Sequence, residues 1–583
     1  MTKDKTFNWK FCLCCGIFIW FVVNLLQGIF TEIQEDEAYY ALFGEHLAWG
    51  YYDHPPMVAL MTHFSSQLFS GILGARFFTI IASCLSLFVL WKLLDERQPD
   101  AKKVFLFFTL ACSVVMFNIY GFVTTPDASL ILFSALFLLV YQHYLEEKSW
   151  KNVLLMGVFM AGMIYSKYHA FLLLGLIVLS NLKLLKDGKF YVACLMALAL
   201  LIPHILWQVH ADFPSFRYHL SGRSEPFQWS YFWEYLPNQL LIFNPFTFGA
   251  VVYVLIKYRD SQSPEKANRI DADGATPAER QIFERGLRFI LIGFFFFFWL
   301  MAFRGHVEPH WTIVCVIPVV VLAYRKTLID YKLRKFTKRF ILPSLLLVLA
   351  FRILLLTPLA DRFGYHGKEA YYQAIEQVAD DSPVVFRGSF QRPALYHYFT
   401  GKPCSTLCCY YDRKTQYDFW QFDKDWTGKK VFVCGAEGNI SQTYKVENVQ
   451  FDGYLTEHFQ TANRLETHFK LANISENAMP VFHHGDTISL DFSIHNHYNQ
   501  AIDFHHKEFD MCLKLLLLSS NKALYGYYND IRLLQPHSTY KGQFFTIIGE
   551  NIAKGRNLIT LGISDRIATF TTDGNEIEIF IED

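Results

Sequence analysis

The chain has 583 residues, of which 52% are hydrophobic, 17% aromatic and only 18% charged. That balance excludes an ordinary soluble multidomain protein and points to a membrane. The 53 basic and 53 acidic residues cancel, which excludes a nucleic-acid partner, because phosphate-backbone binding needs a surplus of Lys and Arg.

Residues 11–30 form the first apolar run, after the basic start MTKDKTFNWK. The run is long for a signal-peptide core and no small-residue cleavage pattern follows before Glu32, so it reads as a retained anchor. The next stretch, DEAYYALFGEHLAWGYYDHPP (36–56), holds four acids, two histidines and four tyrosines between two apolar segments. Asp36 and Glu37 fall at the membrane surface. Tyr39, Leu42, Phe43, His46 and Leu47 recur at helical spacing, which predicts an amphipathic helix lying in the interface plane. A carboxylate is thereby held at the depth of a lipid phosphate. Asp53 and His54 precede Pro55 and Pro56, which restrict the direction of both side chains. Helix caps and turns would account for any one of these residues. The cluster as a whole favours a functional site.

Further apolar segments recur near 71–94, 104–121, 127–145, 152–166, 168–185, 190–208, 237–257, 287–303, 310–324 and 339–357. With the first run they predict about eleven transmembrane helices. Alternate connectors carry the lysines and arginines, among them Lys102, Lys103, Lys186 and the run from Arg325 to Arg339. The positive-inside rule puts these on the cytoplasmic side, together with the N-terminus, of a multi-pass inner-membrane protein.

The remaining connectors face outward and carry the unusual polar residues. In TTPDA, Thr125 suits an N-cap, Pro126 the first helical position, and Asp127 the positive helix end. An acid at the mouth of a span needs a partner, and Lys167 in YSKYH lies on the same side. Lys167, with Tyr168 adjoining it in the short connector, either snorkels to the headgroups or supplies a cation for a phosphate or for Asp36. In GHVEPHW, the spacing of His306, Glu308 and His310 could hold a divalent metal, but binding a phosphate or a sugar hydroxyl suits such a polar loop better. Among the twelve cysteines no pair of CxxC units stands at zinc spacing. A disulfide from Cys404 to Cys408 or Cys409 stays open.

After residue 358 the apolar spans stop. Residues 1–358 are read as the membrane domain, 359–445 as a small α/β domain and 446–583 as a β-sandwich, both exported with the last span. The α/β part predicts helices at GKEAYYQAIEQVA and QRPALYHYFTG and strands at PVVFRGS, STLCCYY and KKVFVCG. In the last part, TISLDFSI and EIEIFI alternate as half-buried strands do. Asn439-Ile440-Ser441 and Asn473-Ile474-Ser475 match glycosylation acceptors, a triplet common by chance.

The acidic first outer loop, an acid and a basic residue before Pro-Pro, TPDA, SKY and the late VEPHW together resemble the GT-C glycosyltransferases. Within them the chain is similar to the bacterial branch of family 39, near the dolichyl-phosphate-mannose protein mannosyltransferases and the lipid A aminoarabinose transferase. The resemblance covers roughly residues 10–430 and includes FRGSFQRPALYHYFTGKP and DRKTQYDFW. It implies a polytopic α-helical fold that passes a monosaccharide, with inversion, from a polyprenyl phosphate to an acceptor on the outer face. It further implies that Asp36 is the essential acid and general base, with Glu37 and Asp53 beside it. His54 stands where the aminoarabinose transferase has lysine, which ties phosphate binding to pH or shares it with Lys167. The β-sandwich has no counterpart in the resemblance.

The residues agree with that chemistry. A phosphate leaves readily once its charge is neutralised, so one carboxylate base and a few cations or hydrogen-bond donors suffice, here Asp36 with Lys167, His54 and His310. This chemistry requires no cofactor, and a divalent metal stays open. The expected partners are the polyprenyl-phosphate sugar, an envelope lipid, glycan or protein acceptor, and membrane lipids. A transporter or flippase of lipid-linked substrates is the rival reading, but its polar groups would lie near the midplane and its halves would repeat.

Overall fold

The computed structural model describes residues 8–220, 228–257, 277–363, 366–407, 414–435, 441–472, 479–518, 522–528, 531–565 and 574–582. Two compact units emerge, Met1–Gly367 and Lys368–Asp583. Both glycosylation triplets and the two partners expected for Cys404 fall at least partly outside the described residues.

The first unit is helical, and each apolar segment of the sequence forms helix. Among the described residues, five helices are long and apolar enough to cross a membrane: Trp9–Phe30, Gly71–Leu93, Pro126–Glu146, Gly188–His210 and Pro309–Ile329, the last beginning as a 3₁₀ turn. Trp229–Phe243 and Pro245–Ile256 make a sixth span if counted together, bent by 102° at Asn244. Shorter or more charged helices, including Trp150–Ser166, His169–Ser180, Pro277–Met301 and Leu342–Leu354, occupy the other expected spans. The chain is therefore a multi-pass membrane protein.

Three of the spans carry polar residues that lock them together. Arg352 is buried and donates to Asn24 Oδ1 at 2.8 Å, with Gln27 and Asn118 at 3.4 and 3.3 Å. Its guanidinium also lies over the rings of Trp20 and Phe122. Amide oxygens and ring faces thus take the place of water around an intramembrane charge.

The predicted amphipathic helix is Glu35–Glu45. Tyr39, Leu42 and Phe43 are buried, and protein packs on their face rather than lipid alone. The helix lies against Met57–Leu68, where Gly44 permits the approach: a Cβ there would stand 2.8 Å from the backbone nitrogen of His63. Thr62 donates to the Tyr40 carbonyl at 2.9 Å and closes the pair.

The second unit opens with the predicted α/β pattern. Helices Lys368–Ala379 and Gln391–Thr400 accompany the parallel strands Val384–Arg387, Cys404–Leu407 and Val431–Cys434. The hairpin Gln442–Val446 and Val449–Thr456 then joins Val431–Cys434 antiparallel and completes a five-stranded sheet. The division expected at 445/446 therefore falls inside this sheet, which ends at Thr456. Beyond it, a five-stranded and a four-stranded sheet share one apolar core as the expected sandwich. Ile488, Leu490, Phe492 and Ile494 all point into that core. Arg464 joins the sandwich to the α/β part: it bonds Asp423 Oδ1 at 2.6 Å, and both side chains are buried.

Candidate functional site

The acidic loop, TTPDA, YSKYH and VEPHW meet at one end of the helical unit. Glu37 lies in the first turn of Glu35–Glu45 and accepts the Gln34 backbone N–H at 3.0 Å. Its carboxylate is fully buried. Arg76 Nε donates to Glu37 Oε1 at 2.8 Å, Arg76 Nη2 bonds Oε2 at 2.5 Å, and the Thr124 backbone N–H bonds Oε1 at 2.7 Å. The remaining Arg76 donors reach the carbonyls of Gly28, Thr31 and Glu32. Glu37, expected among the catalytic acids, has its oxygens occupied and no solvent access. It is a clamp that fixes the first outer loop to the next span and to the TTPDA turn. Arg76 was missed in the sequence, although a lone arginine inside an apolar run is itself a signal.

Asp36, the neighbouring acid, is exposed. Its charge, with those of Asp53 and Asp127, acts on the buried phenol of Tyr40. Burial first, then these three carboxylates, push that phenol well above its ordinary range. Tyr40 therefore keeps its proton, and its hydroxyl lies in hydrogen-bond contact with His54 Nε2 at 3.1 Å. Asp53 is buried. Tyr51 fixes the loop: it stacks on Phe43 with centroids 4.0 Å apart, accepts the Ala48 N–H and donates to the Phe43 carbonyl.

Asp127 is 1% exposed and grips Lys167 through both oxygens, at 2.9 and 2.8 Å. The expected acid–lysine partnership is present, so Lys167 does not pair with Asp36. His310 Nε2 stands 3.8 Å from Asp127 Oδ2, and its ring meets Tyr120 edge-on. His306 and Glu308 lie 3.9 Å apart and stay partly exposed. Of His306, Glu308 and His310, His310 alone reaches the Asp127–Lys167 pair among the described contacts. No group of three His, Cys, Asp or Glu able to hold a metal occurs among the described residues.

Tyr168 bonds His204 Nε2 at 3.1 Å and accepts from Gln208 at 2.8 Å, while His204 Nδ1 meets the Trp49 carbonyl at 2.6 Å. This chain ties YSKYH to the first outer loop through helix Gly188–His210. His169, which the sequence reading left unassigned, is packed between Phe298 and Trp311. It lies within electrostatic reach of Lys167, His219, His310 and His54. This end of the unit thus holds the exposed Asp36, the buried Asp127–Lys167 pair and several histidines.

Two crystal structures of ArnT from Cupriavidus metallidurans match this chain. The one bound to undecaprenyl phosphate gives a TM-score of 0.56 at 14% identity, over 76% of this chain and 97% of that one. The apo form gives 0.55 at 13% identity over the same shares. This chain has a GT-C fold. Residues 53–207 also match the family model of dolichyl-phosphate-mannose-protein mannosyltransferase. The matched segment contains Asp53, His54, Asp127, Lys167 and Tyr168, while Asp36 and His310 lie outside it. No curated protein sequence matches the chain.

Proposed function

We propose that the chain is an inverting glycosyltransferase that moves a monosaccharide from a polyprenyl-phosphate donor to an envelope acceptor on the outer face of the cytoplasmic membrane. The acceptor is a hydroxyl of lipid A, a glycan or a protein. The observation that carries this reading is that the exposed Asp36 and the buried Asp127 of the Asp127–Lys167 pair both act on Tyr40, with His310 3.8 Å from Asp127. The GT-C fold, the mannosyltransferase family match and the undecaprenyl phosphate bound by ArnT support the donor class.

In this reading Asp36 removes the proton of the acceptor hydroxyl as its oxygen bonds the anomeric carbon. The bond from that carbon to the phosphate oxygen breaks on the opposite face, and the lipid phosphate leaves with the electron pair. Lys167, His54 and His310 stabilise the departing charge, while Asp127 keeps Lys167 extended into the site. Asp53 and Tyr168 hold the surrounding loops, and His306 and Glu308 line the approach. No second, protonated acid is needed, because phosphate leaves without one, unlike the alcohol released by a glycosidase.

The test is transfer from radiolabelled polyprenyl-phosphate sugars by purified protein, with envelope extract as acceptor. Wild type transfers label, and Asp36→Asn does not, at an unchanged unfolding midpoint. Absence of transfer from every donor overturns the reading, and equal transfer by Asp36→Asn assigns the base elsewhere. Activity in excess EDTA is expected to match the untreated enzyme.

A further inference from the structure

A second site lies at the opposite end of the helical unit. Gly71–Leu93 runs from Arg76, beside Glu37, to Leu93, and its 23 residues span about 34 Å at the α-helical rise. Pro309–Ile329 makes the same crossing from His310 to Ile329. At that far end the structure holds a cavity of about 1070 Å³, walled by the N-terminal half of Ala101–Ser113, the end of Val316–Ile329 and the start of Leu342–Leu354.

The cavity has two kinds of wall. Phe105, Leu106, Leu328 and Leu342 make an apolar one. The rim is cationic on balance: it carries two acids, Asp95 and Glu96, the second paired with Lys103 at 2.8 Å, against Arg97, Lys102, Arg280, Arg334 and Lys338, while Arg325 pairs at 3.1 Å with Glu284 nearby. Lys102, Arg280 and Lys338 also line it and make no ion pair among the described residues. Deeper in, Thr337 is buried and its hydroxyl has no hydrogen-bond partner among the described groups, as is true of Arg325 Nε. Thr337 opens the π-helical turn Thr337–Ile341, a widened turn of a kind that recurs at binding sites.

We infer that this cavity binds an anionic phospholipid, distinct from any donor at the Asp36 end. A phosphodiester headgroup fits the unpaired cations of the rim, Thr337 and Arg325 Nε supply donors for phosphate or glycerol oxygens, and the acyl chains cover the apolar wall. A soluble anion would leave that wall in water. A zwitterionic lipid would bring its own ammonium against Lys102, Arg280 and Lys338. The occupant bridges three helices and the connectors between them, so it stabilises the unit.

The full-length protein, purified in detergent, is titrated with phosphatidylglycerol or with phosphatidylcholine of the same acyl chains, and retained lipid is counted by native mass spectrometry. Wild type retains phosphatidylglycerol and its unfolding midpoint rises; phosphatidylcholine does neither. The triple variant Lys102→Gln, Arg280→Gln, Lys338→Gln weakens phosphatidylglycerol binding roughly tenfold to a hundredfold, with a lipid-free midpoint equal to wild type. Leu342→Trp, which fills the cavity and leaves every charge in place, weakens it as well. Equal retention of the two lipids by wild type overturns the inference, as does undiminished binding by both variants. A midpoint rise of the same size with inorganic phosphate alone also overturns it.

Discussion

Two neighbouring acids show how position sets role. Asp36 and Glu37 differ by one step of a helix, which turns the first outward and the second into Arg76. On the proposed reading Asp36 is the base, so Asp36→Asn is expected to leave the fold alone and to lower transfer by about 10²- to 10⁴-fold. Arg76→Met does the reverse. It strands a buried carboxylate with two backbone donors, and the unfolding free energy is expected to drop by about 3–5 kcal/mol. A smaller drop for the double variant Glu37→Gln, Arg76→Met, measured by unfolding in detergent, identifies the stranded charge as the cause. Asp127 is held in a buried pair with Lys167, and the proposed function makes that same pair the one that presents the lysine.

Between elements, the ties are polar side chains that reach across long sequence separations. Thr456, the last residue of the five-stranded sheet, donates to Glu508 at 2.7 Å. That hydrogen bond is the main reason the Glu508 carboxyl sits below its ordinary range. A carboxyl lowered on folding stabilises above its unfolded value of about 4.3 and loses that contribution as pH falls through the folded value. Wild type is therefore expected to lose more stability than Glu508→Gln between pH 6 and pH 3, measured by urea unfolding of the intact chain. The elements themselves were largely legible in the sequence, since length and apolarity mark a span and alternation marks TISLDFSI. The Asp127–Lys167 pair was legible too, because an acid at the mouth of a span calls for a cation and the short YSKYH connector had one. Glu37 and Arg76 are 39 residues apart, one in a polar loop and one in an apolar run, and no local pattern joins them. The sheet boundary was missed because the edge strand Gln442–Val446 is mostly exposed and shows no apolar face to read.

At the scale of the molecule, chemistry and lipid binding are assigned to opposite ends of the same helices. Cysteines introduced at Leu47 and at Lys102 are expected to react with a membrane-impermeant maleimide from opposite sides of sealed vesicles. Labelling of both from one side would break the topology from which the two ends follow. The same long spans make the order of synthesis matter. Asn244 sits at the 102° bend with φ of 65° and bonds Ser344 Oγ at 2.7 Å, across 100 residues. At the usual rate of translation a ribosome takes about 5–20 s to travel from one to the other. For that interval the nascent chain carries a bent pair of helices whose polar corner has not met its mate, and the helix Leu342–Leu354, late in the first unit, is the one that closes it.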